Sequence, residues 1–127
     1  MLSLLFAMFA LAPSSVLTVP IIPVEEIIWT PEMVRELATN KAKEYGLHTK
    51  RFLATIECES GFESVQSNHY YKGEREESYG VAQIHLPSHP SVTKEMALEP
   101  SFAVDWMAKQ WVNDDAELWS CYRLLYK

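Results

Sequence analysis

Apolar side chains recur at helical spacing through most of the chain beyond Glu25. Thr30-Pro31 reads as a helix start, with Thr as the capping residue and Pro in the first turn, where its missing N–H costs nothing. Met33, Val34, Leu37, Ala38, Lys41 and Ala42 keep the 3.6-residue period, and Gly46 ends the element. Glu32 and Glu36 lie near its N-terminus, and Lys41 and Lys43 near its C-terminus, as the helix dipole favours.

A second helix is expected from about Thr49 to Ser60. Phe52, Leu53, Ile56 and Ser60 fall within one arc, and Gly61 is the stop. Residues 63–79 are polar and broken by Gly73, which predicts an irregular region, with a short strand at Tyr70-Tyr71. Pro87, His89 and Pro90 mark another loop. Pro100 opens a helix whose Val104, Met107, Ala108 and Trp111 repeat at i, i+3, i+4, i+7. A short helix over about 116–125 closes the chain. The fold class expected is mainly α, with an irregular loop or short β-hairpin region. At 127 residues, one domain is expected, spanning residues 25–127.

Residues 1–24 read differently. They carry no charged side chain, and Leu2 to Ala12 has the length of a signal-peptide core rather than of a membrane span. Ala10-Leu11-Ala12 has the form of a cleavage site. Pro13, Pro20 and Pro23 make residues 13–24 an extended linker. The expectation is export, with the N-terminus acting as a signal peptide or membrane anchor. For an exported chain, Cys58 and Cys121 read either as one disulfide or as two buried thiols.

The net charge is −6 and no basic run is present, which argues against a nucleic-acid partner. With four Trp, six Tyr and five Phe, the chain can build a core and still leave rings for a binding surface. Trp106 and Trp111 are expected in the core, and Tyr70 and Tyr71 at a cleft. His85 and His89 stand four apart, but Pro87 between them breaks a helical face, so no metal site and no cofactor are expected.

One acid stands out. Glu59 lies in the last turn of the second helix, at the border of its apolar arc. Partial burial and the negative end of the helix dipole should both raise its pKa. A carboxyl kept protonated near neutral pH is what protonation of a glycosidic oxygen requires. Downstream, the segment from Ser78 to Ile84 is rich in small residues. Gly80 permits a close backbone approach, and Gln83 offers an amide suited to an N-acetyl group or a sugar hydroxyl. Glu57, Glu63, Glu74, Glu76 and Glu77 read as solvated surface charges. A second carboxylate among the last three would instead suit hydrolysis.

Glu59-Ser60-Gly61-Phe62 and Ser78-Tyr79-Gly80-Val81-Ala82-Gln83-Ile84 together resemble two motifs of the soluble lytic transglycosylase family. Trp119-Ser120-Cys121-Tyr122 comes next in the family's order, and the resemblance spans roughly residues 31–122. It implies a lysozyme-like enzyme domain that acts as a monomer on the glycan strands of peptidoglycan. It implies Glu59 as the acid/base that cleaves the β-1,4 bond between N-acetylmuramic acid and N-acetylglucosamine, leaving a 1,6-anhydro sugar. Ser60, Ser78, Gly80 and Gln83 would bind substrate, and Tyr122 would orient the glutamate. Val81-Ala82 stands where the family has Leu-Met, which is expected to change the cleft wall. Arg123 stands where the family has Asn, and residues 68–77 are more charged. A lysozyme-type hydrolase and a non-catalytic glycan-binding module are the alternatives.

Overall fold

The computed structural model describes residue 20 and residues 26–127. The signal-peptide or anchor reading of residues 1–24 therefore lies, Pro20 apart, outside the described residues. Among the described residues no helix is long and apolar enough to cross a membrane.

The fold is mainly helical with two small antiparallel strand pairs. Helix α1 spans Pro31–Glu44 and α2 spans Thr49–Ser60. Strands β1 (Tyr70–Tyr71) and β2 (Glu74–Arg75) form one hairpin, and β3 (Ser78–Tyr79) pairs with β4 (Ile84–His85). Helices α3 (Lys94–Leu98), α4 (Pro100–Val112) and α5 (Ser120–Tyr126) complete the order.

The helix starts follow the side-chain chemistry. Thr30 Oγ1 accepts from the Met33 N–H at 3.2 Å, and Pro31 comes directly after it. Gly61 closes α2 in the left-handed conformation, at φ 62°, with its N–H on the Glu57 carbonyl. Helix α3 is not predicted by the apolar pattern. It is only five residues long, but Thr93 Oγ1 caps it through the Met96 N–H. Glu99, held extended by the proline after it, separates α3 from α4.

Helix α1 packs on α2 and α4 through a narrow stripe of Val34, Ala38 and Ala42. Small residues there let the helix axes approach. Met33, expected in the stripe, is 38% exposed, and Leu37 is only partly buried. Phe52 of α2 meets the edge of Trp111 of α4 at 5.1 Å, at the centre of the core. Asp105 of α4 ties α1 from the outside. It accepts from Tyr45 Oη at 2.8 Å and pairs with Lys41 and Lys109.

The end of the chain also differs from the expected single helix. A 3₁₀ turn over Ala116–Leu118 and helix α5 are divided by Trp119, which is extended. Its indole N–H donates to the Ala82 carbonyl at 2.7 Å in a buried site. That bond fixes the start of α5 relative to the β3–β4 pair.

Candidate active-site groove

An open groove of about 1460 Å³ runs past the end of α2. Glu59, the β1–β2 and β3–β4 hairpins, Trp106 of α4 and the start of α5 line it. Its size suits an extended chain better than a compact small molecule.

Glu59 enters this groove because α2 continues through Ser60 before Gly61 stops it. Its Oε1 accepts from the Cys121 backbone N–H at 3.0 Å and from Ser120 Oγ at 3.4 Å. A disulfide joins Cys58, its chain neighbour, to Cys121. The two cysteines are thus paired rather than free. The covalent bond and the hydrogen bond act side by side to hold α5 against the glutamate. Burial pushes the Glu59 carboxyl above the usual glutamate range. The two donors oppose that shift, and the negative charge of Glu76 adds to it.

Of the other residues expected at the site, Ser78 and Gln83 line the groove, and Ser60, Gly80 and Tyr122 do not. Ser60 Oγ donates to the Val81 carbonyl at 2.7 Å, so its hydroxyl joins α2 to the turn between β3 and β4. Gly80 has φ 81°, and a Cβ there would lie 1.8 Å from the Ala97 carbonyl oxygen. The close approach that needs glycine is to α3, not to a ligand. Val81 and Ala82 are fully buried, so the Leu-Met replacement alters the core and not the groove wall. Tyr122 packs its ring on Trp111 at 5.2 Å and Tyr126 at 5.3 Å. It lines a separate hollow with His48 and Arg51. The contact expected of it is made one and two residues earlier, by Cys121 and Ser120.

Gln83 keeps a place at the groove in a narrower form. Its backbone is left-handed, at φ 48°. Its Nε2 donates to the Val65 and Gly80 carbonyls, both at 2.9 Å. The amide nitrogen therefore braces the loop, and the side-chain oxygen is left to accept from a ligand. Ser78 is buried, and its Oγ donates to Glu76 Oε1 at 2.7 Å.

Three residues depart from their sequence reading. Trp106 is only partly buried against the core and also lines the groove, and its ring meets His89 at 4.8 Å and Trp119 at 5.9 Å. Of the tyrosine pair, Tyr71 reaches the groove lining and Tyr70 does not. Glu76 is half-buried instead of free in solvent, and both its oxygens are held by serines. Residues 63–79 are likewise more ordered than their composition suggests. Arg75 folds back to donate to the Ser67 and Gln66 carbonyls and to Asn68 Oδ1. The Glu76 N–H donates to the His69 carbonyl.

His85 Nδ1 pairs with Ser88 Oγ at 2.8 Å. Among the described residues no set of three His, Cys, Asp or Glu side chains converges as metal ligands. Comparison of the chain with family models, with characterised proteins and with solved structures returned no match.

Proposed function

We propose that this protein is a peptidoglycan lytic transglycosylase with a lysozyme-like fold, exported to act on the cell wall. The observation that carries the reading is Glu59: a carboxyl made a weaker acid by burial, fixed by the Cys121 N–H, at the side of a long open groove. The motif resemblance supplies the substrate class. The disulfide supports export, since such bonds persist in oxidising compartments.

In this reading Glu59 gives its proton to the glycosidic oxygen as the C1–O bond breaks. The muramyl 6-hydroxyl oxygen then bonds to C1, and its proton returns to the Glu59 carboxylate. Atoms balance without water, and the product is a 1,6-anhydro sugar. The free Gln83 oxygen is placed to accept from an N-acetyl N–H or a hydroxyl, and the Trp106 ring to pack on a sugar face.

Hydrolysis is the second reading, favoured by one observation: Glu76 brings a second carboxylate to the same groove. The masses of the released fragments separate the two, since anhydro products lack one water. Loss of release in Glu59→Gln tests the acid common to both.

A further inference from the structure

Glu76 brings to the groove a charge that its structural contacts do not require. Its Oε1 takes the Ser78 hydroxyl at 2.7 Å, and its Oε2 takes the Ser67 hydroxyl at 3.3 Å. A neutral glutamine could satisfy both serines, because a hydroxyl both donates and accepts. Among the described residues Glu76 forms no salt bridge. The adjacent cation, Arg75, is turned onto the 66–68 segment instead. A carboxylate without a cation, on a surface that a bound glycan would shield from water, costs free energy. That cost is offset where the ligand itself becomes positive during the reaction.

Cleavage of a glycosidic bond provides such a charge. As the C1–O bond breaks, its electron pair leaves with the oxygen that Glu59 protonates, and the sugar ring takes on oxocarbenium character. We propose that Glu76 is a second functional carboxylate of the groove, aimed by Ser67 and Ser78, which stabilises the positive charge on the ring in the transition state. The inference rests on the glycan-cleaving reading of Glu59, and it holds for either product. An anion already fixed in place does not have to reorient as the charge forms, so its effect falls on the transition state more than on substrate binding. The same negative charge favours the protonated form of Glu59 before the reaction begins.

The test measures kcat and KM on a peptidoglycan tetrasaccharide for wild type, Glu59→Gln, Glu76→Gln and Glu63→Gln. Glu76→Gln is expected to lower kcat by about 100-fold or more, with KM changed by no more than about threefold. Glu63→Gln, an exposed carboxylate outside the groove lining, is expected to keep kcat within about threefold of wild type. Wild-type kcat in Glu76→Gln, with Glu59→Gln inert, would overturn the proposal alone. Equal losses in Glu63→Gln and Glu76→Gln would also overturn it, because the overall negative charge of the protein would then be acting. An inactive wild type would remove the glycan-cleaving reading and this proposal with it. Should Glu76→Gln unfold at the assay temperature, Glu76→Asp carries the test. It keeps the charge but draws it back by one methylene. A kcat loss of about tenfold supports the role, and an unchanged kcat overturns it.

Discussion

The backbone N–H of Cys121 donates to Glu59 Oε1 at 3.0 Å, while the side chain of Cys121 is bonded to Cys58, the residue before that glutamate. The disulfide closes a separation of 63 residues at the point where the candidate acid is held. It is therefore both a fold constraint and a positioning device.

Replacing both cysteines by serine should accordingly have two effects. Stability should fall by about 2–5 kcal/mol, the usual range for removing a native crosslink. Turnover per folded molecule should also fall, because α5 would no longer be held against Glu59. Thermal melts and kcat measured well below the melting temperature check the two separately. Reduction of the wild type should reproduce both.

The raised pKa of Glu59 has a consequence for stability. The folded state prefers the protonated carboxyl, so it holds its proton to higher pH than the unfolded chain does. That contribution is complete below the ordinary glutamate pKa and is lost as pH rises through the raised folded value. Glu59→Gln removes the cost of ionising the half-buried group but keeps an oxygen for the Cys121 N–H. It should therefore melt higher than wild type at neutral pH, with the difference shrinking as the pH falls to the ordinary glutamate range, about pH 4. A series of melts between these limits reads the trend.

Asp105 gives the opposite dependence. Burial alone would raise its pKa, but hydrogen bonds from Lys109, Tyr45 and Lys41 outweigh burial and hold it below the usual aspartate range. Its stabilising contribution is present above the unfolded pKa and is lost as pH falls toward the lowered folded value. Asp105→Asn should cost about 1 kcal/mol near neutral pH, a modest figure because the cluster is partly solvated. Denaturant melts should show wild type and variant converging in acid.

Gly80→Ala should be among the most damaging small substitutions. The new methyl would meet the Ala97 carbonyl at 1.8 Å, on a backbone with φ 81°. A loss of about 3 kcal/mol or more is expected from the clash and the left-handed strain together. Denaturant unfolding measures it directly.

The fold was legible where periodicity and capping agree, as in α1, α2 and α4. Short elements were not. Helix α3 owes its existence to one threonine cap and to packing, and neither leaves a periodic trace. Glu59 was legible because a helix end and an apolar arc coincide there. The roles of Ser60, Gly80 and Tyr122 were not, since each is decided by a contact distant in sequence: Val81, Ala97 and Trp111. Glu76 was hidden for the same reason. Its charge reads as a surface residue until the fold sets the Ser67 and Ser78 hydroxyls on its two oxygens. The pairing of Cys58 with Cys121 was the one available pointer to the backbone donor at Glu59, and the residue pattern left that pairing open.

The decisive experiment incubates purified peptidoglycan with wild type and with Glu59→Gln, and weighs the soluble fragments by mass spectrometry. Anhydro-ended fragments are expected from the wild type, with release at least roughly 100-fold slower from the variant. Equal release by the two proteins would contradict the assignment of Glu59 as the acid.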